Sequence, residues 1–262
     1  MPSSPTNSRL AIAQIPMHWD VSENVQAMKQ ALRVAAADGA AICAFSELAI
    51  TGFHRRIVEW AKPEVSPPAV GEVRAAAASL GIAATFGAPT FDNEGQRFNS
   101  HLFVDASGAV AGTVSKVGLT DPEATFFAKG LARPTLRLGG LSCSAVICRE
   151  IEDREQVLAS LMIPRPQVVF WPGQMRPDPA LPPQDPPRHV VQAQELAREL
   201  GSYFVQTNWP NALNRPEESE GTGRSACISP FGELLFRLPE QGYGIAVFNL
   251  GDRAFAWHAS GA

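Results

Sequence analysis

Leu141-Ser-Cys-Ser-Ala-Val-Ile-Cys148-Arg-Glu-Ile-Glu-Asp-Arg-Glu155 opens as a small, apolar, β-prone run and turns to charge at a cysteine. That pattern predicts a buried strand feeding a helix, with Cys148 at the turn. A thiol there would lie near the unsatisfied N–H groups of the helix start and beside Arg149, both of which favour thiolate. Cys148 is thus a candidate nucleophile. The competing reading is a small buried hydrophobe, the ordinary fate of a free cysteine.

Outward from this stretch the chain alternates strands and helices. Before it, Arg9 to Ile15 reads as a strand, followed by a capping box at Asp20-Val-Ser-Glu23 and a helix carrying Val25, Met28, Leu32 and Ala36 on one face. Ala40 to Phe45 is a second buried strand, with Glu47 the first acid beyond it. The proline-rich link Lys62 to Pro68 leads to an alanine-rich helix, Val70 to Leu80, and a strand from Ile82 to Gly87. Arg97 to Val104 and Ala109 to Ser115 form an antiparallel pair ending at Lys116. Leu119 to Gly130 is a loop with a turn of helix, and Thr135 to Ile147 is a hairpin with Gly139-Gly140 at its tip. After Cys148 come a helix (Asp153 to Met162), a strand (Gln167 to Trp171), a helix (His189 to Leu200) and a strand (Tyr203 to Asn208). Gln174 to Arg188, rich in proline, reads as an irregular loop, a lid or an interface. Gly221 to Ile228, Gly232 to Leu238 and Gly244 to Asn249 are closing strands. The tail Arg253 to Ala262, with Trp257 and His258, docks on a neighbour or on its own domain. Two βα-rich halves with antiparallel edges predict a layered α/β sandwich.

The 262 residues suit one domain, with a core over 8–250 and a tail over 251–262. A net charge of −4 without basic runs argues against nucleic acid. No apolar stretch approaches the roughly 20 residues that span a bilayer, and the N-terminus has no signal-peptide pattern, so a cytoplasmic protein is expected. Four scattered cysteines, Cys43, Cys143, Cys148 and Cys227, read as reduced thiols. The histidines at 18, 54, 101, 189 and 258 are equally dispersed and give no metal-ligand spacing.

Glu47, Lys116 and Cys148 each follow a predicted strand, and sheet-built sites gather at the carboxyl ends of strands. Acyl transfer needs a nucleophile, a base and an oxyanion donor, roles these three types can fill. Several other charged residues also follow strands, so position alone does not select the trio.

Phe45-Ser-Glu47-Leu-Ala-Ile-Thr-Gly52-Phe53, Ser115-Lys116-Val-Gly-Leu119 and Ile147-Cys148 to Glu155 resemble, in order, the three signature blocks of the nitrilase superfamily, the carbon–nitrogen hydrolases. Further similarity lies at Phe98-Asn99, Glu123, Phe127, Gly130, Ala197-Arg-Glu199, Tyr203, Asn208 and Gly223-Arg-Ser225, and the resemblance covers roughly residues 8 to 250. It implies a four-layer αββα sandwich of an amidase-like branch, working as a homodimer or larger assembly with neither metal nor organic cofactor. It also implies Cys148 as nucleophile, Glu47 as general base, Lys116 and the Arg149 N–H as oxyanion donors, and Glu123 as the group orienting lysine or substrate. A small linear amide is the implied substrate. A nitrile, a cysteine acyltransferase activity and a non-catalytic binding role are the alternatives.

The chain departs from the family beside the trio. Cys148-Arg149-Glu150 replaces the Cys-Tyr-Asp of many amidase-type members and the Cys-Trp-Glu common among nitrile-cleaving ones. A frequent histidine is Gly118, and the asparagine that often follows the Glu199 position is Leu200. Arg149 then has three possible roles: pairing with an acidic substrate, an internal ion pair with Glu150 or Glu152, or lowering the thiol pKa.

Overall fold

The computed structural model describes residues 8–177, 180, 182, 184–240 and 242–259. In chain order the elements are β1 (Arg9–Gln14), α1 (Val21–Ala37), β2 (Ile42–Ala44), α2 (Ile57–Trp60), α3 (Ser66–Leu80), β3 (Ala83–Phe91), β4 (Arg97–Val104), β5 (Val110–Ser115), α4 (Asp121–Ala124), β6 (Leu136–Leu138) and β7 (Leu141–Ala145). A 3-10 turn over Cys148–Glu152 follows. Then come α5 (Arg154–Leu161), β8 (Val168–Gly173), α6 (Arg188–Leu200), β9 (Tyr203–Asn208), β10 (Ala226–Ile228), β11 (Leu234–Arg237), β12 (Gly244–Asn249) and β13 (Ala256–Ala259).

Strand alternation builds the layers. On β1, Leu10 and Ile12 face the second sheet, while Ala11 and Ala13 face α1 and α3. On β8, Val168 and Phe170 face inward, while Val169 and Trp171 lie against α5 and α6. Because successive side chains on a strand point to opposite faces, sheets apolar on both faces need cover on both. The result is helix, sheet, sheet, helix. The first sheet runs β13-β12-β1-β2-β3-β4-β5 and the second β11-β10-β9-β8-β7-β6. Each has three parallel strands at its centre, β1 to β3 and β7 to β9, with antiparallel strands outside them. This is the α/β sandwich expected.

Local departures have identifiable causes. Asp20 is the N-cap of α1 but makes no side-chain capping bond; Arg56 Nη1 donates to it at 3.4 Å instead, so the expected capping box does not form. Ala35 rather than Ala36 joins the buried face of α1. α3 starts at Ser66 because prolines fit a first helical turn, where an N–H would be unpaired anyway. The tail docks on its own chain: Ala256–Ala259 pairs antiparallel with β12, which removes Trp257 as a motive for a second copy. Residues 260–262 and, within the proline-rich loop, 178, 179, 181 and 183 lie outside the described residues. No helix among the described residues is long and apolar enough to cross a membrane.

Candidate active site

Glu47, Lys116 and Cys148 follow the carboxyl ends of β2, β5 and β7, from both sheets. Cross-sheet hydrogen bonds lock the two rims together. Thr207 Oγ1 donates to the Phe45 carbonyl at 3.0 Å, and Trp209 Nε1 donates to the Glu47 carbonyl at 2.8 Å. Within the second sheet, Trp171 Nε1 donates to the Cys148 carbonyl at 3.0 Å. Close backbone approach is needed at two glycines in particular. A Cβ at Gly87 would fall 2.0 Å from the Leu48 nitrogen, and one at Gly130 would fall 2.2 Å from the Ser115 carbonyl oxygen. Any side chain there would displace the turns carrying Glu47 and Lys116.

Lys116 is clamped. Its Nζ donates to Glu47 Oε1 at 2.8 Å and to Glu123 Oε1 at 2.7 Å, with Lys116 and Glu47 each only 1% exposed. Asn99 Nδ2 donates to the same Glu47 oxygen at 2.8 Å. Glu47 Oε2 is buried without a partner among the described residues, and so is Asn99 Oδ1. Glu123 is fixed by a capping box with Thr120, whose N and Oγ1 donate to Glu123 Oε2 at 2.9 and 3.0 Å.

Charge and burial compete across the cluster. Burial works to lower the Lys116 pKa, but the charges of Glu47 and Glu123 and the hydrogen bond to Glu123 outweigh it and hold the ammonium protonated. Burial pushes the Glu47 carboxyl above the ordinary glutamate range despite the Lys116 charge. For Glu123 burial works upward too, and Lys116 wins, leaving it below the usual value.

Cys148 sits at φ 55°, a left-handed conformation uncommon for a residue with a side chain, in the turn that follows β7. Its Sγ lies 3.7 Å from Met175 Sδ, and the residue is 8% exposed. The expected thiolate is not favoured. Burial and the Glu47 charge push the thiol well above its ordinary value, against the pull of Lys116. At rest Cys148 is therefore held as S–H rather than thiolate.

Arg149 has a partner of its own. Its guanidinium pairs with Asp153, Nη2 to Oδ1 at 2.8 Å, one helical turn on, and not with Glu150 or Glu152. Asp153 occupies the space beside Gly118, where a Cβ would meet Asp153 Oδ2 at 2.2 Å. The two sequence departures, Gly118 and Arg149, are therefore one packing arrangement.

Glu150 has a different task. Fully buried, its Oε1 accepts from Arg133 Nη2 at 2.8 Å, Val117 N at 2.6 Å and Gly118 N at 2.8 Å, and its Oε2 accepts from Ile147 N at 2.7 Å. One carboxylate thus ties the turn after Lys116 to the turn before Cys148.

Asn99 and Met175 had no assigned role in the sequence reading, and Glu150 figured there only as a possible partner of Arg149. Asn99 carried a signal: an amide inside the apolar strand Arg97–Val104 must find partners there. Glu150 was hidden as one of six charged residues in 149–155. Among the described residues no group of three or more His, Cys, Asp or Glu side chains could hold a metal ion.

A two-sheet sandwich with helices outside, whose strand ends bring together a cysteine and a lysine clamped by carboxylates, defines a class of thiol-bearing hydrolase scaffold. The chain belongs to the carbon–nitrogen hydrolase family, whose model matches residues 9–256, and it is a carbon–nitrogen hydrolase. Among solved structures, an amidase from Nesterenkonia sp. is similar at 24% identity and TM-score 0.80, over 95% of this chain and 92% of that one. The NitN amidase of the AN1 isolate is similar at 25% identity and TM-score 0.79, over 94% and 93%. A cysteine-to-alanine variant of that amidase, in complex with butyramide, is similar at 24% identity and TM-score 0.79, over 94% and 91%. Among curated proteins, none matches the chain.

Proposed function

We propose that the protein hydrolyses a small linear amide to carboxylate and ammonia through a thioester on Cys148. The observation that carries this is the Lys116 ammonium held between Glu47 and Glu123, with the second Glu47 oxygen buried and unpaired. Glu47 Oε2 accepts the Cys148 proton as sulfur attacks the carbonyl carbon. Lys116 and the Arg149 N–H stabilise the oxyanion. Collapse breaks the C–N bond, and the proton on Glu47 passes to the departing nitrogen, releasing ammonia. Water then attacks the thioester with Glu47 again as base, giving the acid and the free thiol. Glu123 holds Lys116 in place.

An amide is favoured over a nitrile because two buried acceptors, Glu47 Oε2 and Asn99 Oδ1, have no partner, and an amide brings N–H donors that a nitrile lacks. The butyramide and acrylamide complexes of the Nesterenkonia amidase support the same substrate class. The proposal extends to a single domain over 1–262 with its core at 8–250, a cytoplasmic location, and a homodimer or larger assembly, the last of which light scattering at micromolar concentration tests.

The test of activity is ammonia release from a panel of linear amides and matching nitriles, with hydroxylamine added in parallel to reveal acyl transfer. The parent should turn over amides. Cys148→Ala should be inactive yet folded, and Cys143→Ala should keep activity at a packing cost. Equal loss in both folded variants would show the nucleophile misassigned.

A further inference from the structure

A cavity of about 360 Å³ opens beside the catalytic cluster. Glu123 belongs to both, since its carboxylate holds Lys116 while its side chain forms part of the cavity wall. Most of the remaining wall is apolar, from Phe53, Ile57, Val58, Phe126 and Phe127. Val58 is 54% exposed at the rim, an uncovered aliphatic side chain. The volume lies in the range of small-molecule sites, which combine apolar walls with a few polar groups. Other cavities, one walled by Met175, Arg188 and His189 and one by Arg176, Arg224 and Glu240, include none of Glu47, Lys116, Glu123 or Cys148.

His54, also in the wall, is 4% exposed with both ring nitrogens buried, so it meets the cavity through ring carbons rather than as an open polar group. Its ring lies 4.9 Å from Trp19 and leaves no space for a Cβ on Gly52, so its placement is fixed by packing. Burial holds His54 below the ordinary histidine pKa, hence neutral. Arg55, the cation in the wall, has its guanidinium 5.0 Å from the centroid of Trp19, over the ring face.

We infer that this cavity is the acyl subsite and that it selects amides with an uncharged alkyl chain over those ending in a carboxylate. The inference rests on the amidase reading above and adds the substrate class. An anionic end would meet the Glu123 carboxylate, with the cation of the wall, Arg55, engaged over the Trp19 ring, whereas a chain of methylenes would cover Phe53, Ile57 and Phe126.

The experiment measures kcat/KM for acetamide, butyramide, hexanamide and adipamate, the ω-carboxylate of hexanamide's length. It uses the parent, Val58→Trp and Thr125→Trp. Both substituted residues are exposed and line the cavity. In the parent, kcat/KM should rise about fourfold per methylene until the cavity fills, with adipamate well below hexanamide. At least one tryptophan variant should flatten that rise, lowering kcat/KM for hexanamide by a larger factor than for acetamide. If acetamide is hydrolysed without a rise, if both variants keep the rise, or if adipamate is preferred, the subsite is refuted and the amidase reading stands. If no amide turns over, the amidase reading fails. Calorimetry of acetamide and hexanamide on Cys148→Ala, with and without Val58→Trp, then decides the subsite: tighter hexanamide binding abolished by Val58→Trp supports it, and equal binding overturns it.

Discussion

Replacing Glu150 by alanine should unfasten both turns of the site at once. The carboxylate is fully buried and accepts four hydrogen bonds, three from backbone N–H groups and one from Arg133, itself 4% exposed. Stranding a buried partner of an ion pair costs about 3–5 kcal/mol. Each backbone N–H left without an acceptor would add about 1–3 kcal/mol, less whatever water entering the vacated space recovers. The prediction is therefore a loss of at least about 3 kcal/mol, read as a lower urea midpoint at unchanged slope. Glu150→Gln keeps one oxygen for the three donors at Oε1 and turns an NH₂ against Ile147 N–H, so its cost should be nearer 1–3 kcal/mol. Activity of the folded fraction should also fall, because displacements near 1 Å in a catalytic group can cost about 10²-fold. Glu150→Ala with stability within about 0.5 kcal/mol of the parent, the range of a surface substitution, would refute the argument that this carboxylate joins the two turns.

Arg149 is held by Asp153, so Arg149→Gln should lower kcat/KM by the same factor on an ω-amide bearing a carboxylate and on its methyl ester; a selective loss on the carboxylate would mean that Arg149 reads substrate. For pH dependence, Glu47 must be ionised to act as base and its pKa is raised by burial, so activity should fail on acidification already above the ordinary glutamate range. The Asn99 hydrogen bond lowers that pKa, so Asn99→Leu should move the acid limb of kcat/KM to higher pH, and an unmoved or lower limb would contradict Glu47 as the titrating base.

The layers were legible in the sequence because strand alternation and helix periodicity are local. Leu10 and Ile12 against Ala11 and Ala13 already separate an inner from an outer face. Position after strands offered Glu47, Lys116 and Cys148 only as candidates, and family resemblance singled them out. Partner choice was the harder part. Arg149 has acids at 150, 152, 153 and 155, and only the turn of the chain decides for Asp153. Glu150 serves backbone groups more than 30 residues away, which no spacing rule exposes. The thiol's protonation followed from burial and the Glu47 charge rather than from the helix start beside it, so local sequence pointed the wrong way. The cavity beside Glu123 joins residues 53–58 to residues 122–127, a juxtaposition that exists only in three dimensions.

The most direct test of Cys148 as a base-assisted nucleophile traps its thioester. Glu47→Gln should still be acylated by an activated ester such as p-nitrophenyl butyrate, because removing the Glu47 charge eases the Cys148 thiol toward thiolate beside Lys116 and this leaving group needs no proton, but it should deacylate slowly, since the same carboxylate activates water. After acid quench, peptide mass spectrometry should find one hydroxylamine-labile butyryl group on Cys148, accumulating in the variant and sparse in the parent. An adduct on Cys43, Cys143, Cys227 or a lysine instead, or no adduct in a folded variant whose parent turns the ester over, would contradict the mechanism.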